Sequence, residues 1–266
     1  MMESDSRKYF ERVMEDWREG MNLSEHPYAN NKSWQTRYQA LQRWVADLGL
    51  NKGRVLEIGC GTGLLQDIVD DYIGIDLAAS SSQFMHKPFV VCSATALPFP
   101  DNSFDGVWSF WVLEHVTEPS NMLAEMRRVT KPGGSSFVVA AYGVGNWVSQ
   151  GIHKRPFHDL SLKQQLVKLT LPIRASILYK IVINLILRLG ELGSYLWRKS
   201  PTKLRYTRLQ PNYDEYWDYD ADACVSLDAY SVALFFLSRG DRPYYPGGLG
   251  RSLLQRSQPQ AYIVKK

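Results

Sequence analysis

The sequence predicts an open α/β fold: a mostly parallel β-sheet with helices on both faces and a helical insertion late in the chain. Three observations carry this. Short apolar runs at residues 54–58, 72–76, 88–92, 104–110 and 135–141 read as strands. Tight turns and stretches of helical periodicity separate them, and strands alternating with helices imply a parallel sheet. The alternation breaks after Tyr142 and resumes at Ser226, so the chain between them is set apart from the sheet.

The elements follow in order. Residues 5–19 and 32–48 read as helices. In the second, Trp34, Tyr38, Leu41, Val45 and Leu48 recur every 3–4 residues, which marks one buried face, and Gly49 closes it. The strand at 54–58 runs into Gly59-Cys60-Gly61-Thr62-Gly63, and residues 64–69 resume a helical pattern. The strand at 72–76 ends on Asp76. A helix is expected over 119–130, a turn at Lys131-Pro132-Gly133-Gly134, and a strand at 135–141. Ser226 is a good N-cap, Asp228 would lie in the first turn and Arg239-Gly240 makes a stop, so 226–239 is expected to be helical. Residues 241–245 and 260–265 read as the last two strands. The expected organisation is N-terminal helices at 1–49, a ligand-binding core at 50–144, a variable basic insertion at 145–225, and a helix with the last core strands at 226–266.

A chain of 266 residues, 45% of them hydrophobic, can bury one sizeable core. Its start lacks the apolar stretch of a signal peptide. Cys60, Cys92 and Cys224 are too few and too widely spaced for a disulfide framework or a metal-ligand set. A cytoplasmic protein with reduced cysteines and no metal is expected. The net charge of +4 says little, but its distribution says more. Residues 151–210 hold 12 Lys/Arg against 2 Asp/Glu, while the remainder is net acidic. Such asymmetry suggests a segment with its own anionic partner.

The chemistry concentrates at the first turn, Glu57-x-Gly59-x-Gly61-x-Gly63. Glycines there let a ligand approach the backbone closely. A dinucleotide turn has the spacing G-x-G-x-x-G, because it must admit a pyrophosphate. Here the spacing differs, and a carboxylate precedes the first glycine by two residues. That acid would repel a pyrophosphate and suits a ligand bearing an ammonium and a sulfonium. Asp76, 17 residues after Gly59 at the end of the second strand, can accept both hydroxyls of a ribose.

On these residues, and on VLEIGCGTG, YIGIDLA, ATALPFPDNSFDGVWS and VLEHVTEPSNMLAEMRRVTKPGG taken in order, the stretch 54–142 resembles the class I methyltransferases, in particular the broad type 11 group. The resemblance covers about a third of the chain. It implies a Rossmann-like sheet of seven strands, mostly parallel with the last antiparallel, and S-adenosyl-L-methionine as cofactor. It implies that Gly59, Cys60, Gly61 and Gly63 line the methionine part, with Glu57 helping to hold the amino group directly or through water. Asp76 would bind the ribose and Leu77 would pack on the adenine. Ser93 and Ala94 would meet the adenine edge, and Phe110 would flank the transferable methyl. Members of the group often carry Asp where this chain has Ser93; a serine still accepts one hydrogen bond, without charge.

Methyl transfer from a sulfonium is an in-line displacement, and the enzyme mainly supplies proximity, orientation and exclusion of water. A base is needed only where the acceptor loses a proton. His115, just beyond the fourth strand, is the best-placed candidate; a pocket histidine without a proton role is the alternative. His153, His158 and Asp159 either face the acceptor or are surface polar residues. The expected acceptor is a small or lipid-linked molecule. Residues 173–197 are strongly apolar, but their charge-free run is too short to span a membrane. Within them Lys180, Asn184, Arg188 and Glu191 share one helical face. That helix either caps the site or lies on the anionic inner face of a membrane through its basic side. Gly190 and Gly193 are expected to end or bend it. Tyr206, Tyr213, Tyr216, Trp217 and Tyr219 crowd near Asp218, Asp220 and Asp222, as a polar loop or a sugar- or cation-binding cluster. No recognisable nucleic-acid module accompanies the basic segment. A catalytically silent scaffold that binds the same cofactor, or a nicotinamide-dependent oxidoreductase, are the rival functions.

Overall fold

A computed structural model describes residues 2–20, 31–174, 176–214, 220–245, 253 and 259–265. Nine strands are present among them: β1 (Val55–Ile58), β2 (Tyr72–Asp76), β3 (Phe89–Val91), β4 (Phe104–Phe110), β5 (Thr130–Val139), β6 (Tyr206–Arg208), β7 (Val225–Leu227), β8 (Arg242–Pro243) and β9 (Gln260–Ile263). Seven of them form one sheet in the order β3-β2-β1-β4-β5-β9-β8, and β6 pairs with β7 separately. The first five sheet strands are parallel, and β9 runs antiparallel to both β5 and β8. The order reverses at β1, which lies between β2 and β4, and a switch point of this kind opens a crevice at the carboxyl ends of the strands.

The helices are α1 (Met2–Gly20), α2 (Lys32–Asp47), α3 (Pro119–Val129), α4 (Asn146–Ser149), α5 (Leu162–Arg174), α6 (Ile177–Arg198) and α7 (Ala229–Leu237). The chain divides into two compact units. The first is Met1–Ala140 with Asp241–Tyr245 and Gln258–Lys266; the second is Ala141–Gly240 with Pro246–Ser257.

In the first unit, Asn31 caps α2 by accepting from the Ser33 and Trp34 amides. The apolar face of α2 then buries Leu41, Trp44 and Val45 against Trp108 of β4 and Phe137 of β5. Burying such side chains contributes about 1.5–3 kcal/mol each, less the entropy of ordering them. The Trp44 indole N–H donates to Ser135 Oγ at 2.9 Å, which satisfies the one polar group α2 carries into the core. The helical pattern expected at residues 64–69 gives only a single 3-10 turn, Gln66–Ile68. The crossover from β1 to β2 is too short to nucleate a stable helix after the glycine turn.

In the second unit, α7 is buried from Ala229 to Phe236. Its start differs from expectation. Ser226 belongs to β7, where Val225 and Leu227 point inward and pair with β6, and Asp228 is the N-cap. The apolar run expected as one helix over 173–197 is divided between α5 and α6, and α6 continues through Gly190 and Gly193 without a break. Arg188 is buried. Its guanidinium holds both oxygens of Asp228, at 2.8 and 2.5 Å. Arg205 joins Asp228 to Glu191, each at 3.1 Å, and Glu191 accepts from Ser231. So the Arg188–Glu191 side of α6 faces inward to this ion-pair network, and it is not the outward basic side that the membrane-lying alternative required.

Candidate active site at the glycine turn

Three backbone turns converge at the carboxyl ends of β1, β2 and β4. The first is the glycine turn. Gly59, Gly61 and Gly63 have φ of +73°, +50° and +70°, a region that side chains rarely adopt, which is why this spacing of glycines is required. The three differ in their surroundings. A Cβ at Gly59 would strike Val112, and one at Gly63 would strike Gln66 and Met85. At Gly61 nothing lies within 4 Å. The middle glycine therefore borders open space, and the outer two shape the turn.

Asp76 ties this turn to the end of β2. Its Oδ2 accepts from the Gly61 amide at 2.9 Å and its Oδ1 from the Ala78 amide at 3.0 Å. Burial raises its pKa, against hydrogen bonds from Ala78, Gly61 and Leu77 that favour the ionised form. Each carboxylate oxygen keeps a further lone pair for a ligand hydroxyl.

Glu57 is almost completely buried under the turn. It accepts a hydrogen bond from the Tyr72 hydroxyl. Desolvation pushes its pKa up to about 8, although Tyr72 and Trp108 favour the ionised form. Cys60 is buried with its thiol pKa raised by desolvation; its amide donates to Ile75 O at 3.0 Å and its carbonyl accepts from the Gly63 amide at 2.8 Å. Leu77 is half-buried. Ser93 and Ala94 form a tight turn after β3, where Ser93 Oγ meets Thr95 Oγ1 at 2.9 Å.

At the end of β4, Phe110 is mostly buried. It stacks on Phe137 at 5.7 Å and meets the edge of Trp34. The next residue, Trp111, has φ +52°, a strained conformation for an aromatic residue. Its ring lies 5.4 Å from that of Trp34, with the Arg37 guanidinium over it. His115 follows in a single 3-10 turn, and the ring of Phe10 packs against it edge-on at 5.7 Å. Glu11, beside Phe10 on α1, accepts from the amides of Ala79 and Ser80. The N-terminal helix thus lies against both the loop after β2 and the turn after β4.

Sequence reasoning missed Tyr72, Trp111 and α1 as parts of this region. Tyr72 was the legible one, since an aromatic residue opening β2 two positions before Gly74 can reach along the same sheet face. His158 pairs with its neighbour Asp159 at 3.3 Å on an exposed turn of the second unit, and His153 Nδ1 lies 3.4 Å from Trp147 O. Tyr216, Trp217, Asp218 and Tyr219 lie outside the described residues.

Residues 56–138 match the model of the methyltransferase domain family. Over this stretch the chain is similar to the class I methyltransferases. It is 42% identical over 99 residues to a demethylmenaquinone methyltransferase of Renibacterium salmoninarum, covering 34% of this chain and 41% of the relative. It is 35% identical over 103 residues to the ubiquinone/menaquinone biosynthesis C-methyltransferase UbiE of Burkholderia mallei, covering 33% and 42%. The match thus spans about two fifths of these relatives' length. A solved Pyrococcus horikoshii protein aligns over 89% of this chain and 93% of its own, with 17% identity and a TM-score of 0.46. S-adenosylmethionine is the cofactor of this methyltransferase class. The open space at Gly61, flanked by the Asp76 carboxylate, fits it.

Proposed function

We propose that this methyltransferase moves the methyl group of S-adenosylmethionine to a small-molecule acceptor. The observation that carries the reading is the pairing of Gly61, open to space in a left-handed turn, with Asp76, whose carboxylate is fixed against that turn. The cofactor supplies a methyl group already activated by its sulfonium. The glycine turn would receive the methionine part, Asp76 the ribose hydroxyls, Leu77 one face of the adenine and Ser93–Ala94 its edge. Glu57, beneath the turn, would answer the ammonium through the backbone or a water. Phe110 and Trp111 would wall the methyl from solvent, since water exclusion and alignment are the main tasks in this displacement. His115 would take the proton where the acceptor must lose one.

The two relatives, a demethylmenaquinone methyltransferase and a ubiquinone/menaquinone biosynthesis C-methyltransferase, favour a ring-bearing small molecule, carried on a lipid or free. The test uses methyl-labelled cofactor, the full chain and a cell extract separated into lipid, polymer and small-molecule fractions. Label in the lipid or small-molecule fraction supports the reading. Label in protein or nucleic acid alone contradicts it, and so does no transfer by a protein that binds the cofactor, which would be the silent scaffold.

A further inference from the structure

Among the described residues, the second unit carries an exposed apolar surface. On α5, Leu162, Leu166, Leu169 and Ile173 are 63–80% exposed. Their spacing of 4, 3 and 4 residues puts them in one narrow stripe along the helix. Lys163 and Arg174 are exposed beside the stripe, and α5 contains no acidic residue. On α6 the polar side is turned inward, where Arg188 and Glu191 join the network around Asp228. The opposite side presents Ile186 and Trp197 at 62% and 89% exposure. The sole acid of α6 is Glu191, and it is engaged by Arg205 and Ser231. Arg198, Lys199 and Lys203 are exposed at the end of this helix and just beyond it.

An apolar stripe edged by cations, with no free carboxylate on either helix, complements an anionic lipid surface. Apolar side chains enter the acyl boundary while lysine and arginine remain at the headgroups. No helix among the described residues is long and apolar enough to cross a membrane. We propose that α5 and α6 form a docking surface for an anionic bilayer, on which the protein lies peripherally. This rests on the second unit alone and is independent of the methyl-transfer reading.

The test is co-sedimentation of the full chain with vesicles of phosphatidylcholine, alone or mixed with phosphatidylglycerol. The expected result is binding to the mixed vesicles at low salt, weakened by added salt. Leu166→Asp with Ile173→Asp should lower vesicle affinity by roughly tenfold or more. Lys163→Glu with Arg174→Glu should do so by about tenfold while leaving the apolar stripe intact. All four side chains are exposed, so both variants should keep the wild-type circular dichroism, melting temperature and cofactor affinity. A wild type that stays in the supernatant with mixed vesicles overturns the proposal, as do variants that bind as well as the wild type. A self-associating chain that ignores vesicles, and that the aspartate variant renders monomeric, overturns it in favour of a second copy covering the face.

Discussion

The hydroxyl of Tyr72 donates to the buried carboxylate of Glu57. Gly74 makes room for this contact, because a Cβ there would crowd the Tyr72 hydroxyl, the Cys60 sulfur and Met85, each at 3.0 Å. Glu57 is thereby held directly beneath the glycine turn, with its pKa pushed up to about 8 by burial. In the unfolded chain the same group titrates near its ordinary value of 4.5. Between those values the native state holds a proton that the unfolded state has lost, so this group's contribution to stability declines as pH rises from about 4.5 to about 8. Glu57→Gln should flatten that decline. The check is the melting temperature of both proteins across this range; parallel profiles would contradict it.

Asp76→Ala should weaken cofactor binding by roughly 1.5–3 kcal/mol, because charge-assisted hydrogen bonds to the ribose are lost. It also frees the Gly61 amide, so part of the loss comes from a loosened turn. Calorimetric titration measures the total, and Asp76→Asn, which keeps an acceptor oxygen, should recover part of it.

Gly61→Val should abolish cofactor binding. A valine at φ +50° is strained and fills the only one of the three loop glycines that borders open space. Retained affinity in this variant, with the fold shown intact by circular dichroism, would place the ligand elsewhere.

Glu11 should stabilise the loop after β2. Burial raises its pKa, but the hydrogen bonds from Ser80 and Ala79 outweigh this and hold it below the usual range. Removing the carboxylate in Glu11→Ala costs about 1 kcal/mol of local stability. Amide exchange at Ala79 and Ser80 should then quicken by roughly fivefold, with the core strands unaffected. Exchange unchanged from the wild type would show that α1 does not hold this loop.

Arg188→Ala should destabilise the fold by about 3 kcal/mol or more, because Asp228 is left buried and undercompensated. Lys163→Ala, on the exposed side of α5, should change stability by less than about 0.5 kcal/mol. Denaturant unfolding of the two variants separates a buried ion pair from surface charge.

Most strands were legible from local pattern, although residues 131–134, read as a turn, lie within β5 and the helix read at 64–69 is one 3-10 turn; features made by distant partners were not. The strands at 72–76 and 104–110 were read at their observed limits, because short apolar runs between turns carry their own signal. Asp76 and the three glycines were singled out by spacing and by the family resemblance, and the structure brings Asp76 against the Gly61 amide. Ser226 has the chemistry of an N-cap, yet its backbone pairs with Thr207, which no local pattern encodes. The spacing put Arg188 and Glu191 on one helical face, but the burial of Arg188 is set by Asp228, 40 residues away. The strain at Trp111 is likewise a property of the packed end of β4, beside Trp34.

The central claim is that the Gly61–Asp76 crevice binds S-adenosylmethionine, and calorimetric titration of the full chain tests it most directly. The account predicts saturable binding in the micromolar range, about −8 kcal/mol for a Kd of 1 μM, weakened in Asp76→Ala and absent in Gly61→Val. A folded wild type that gives no heat with either the cofactor or its demethylated product would contradict it.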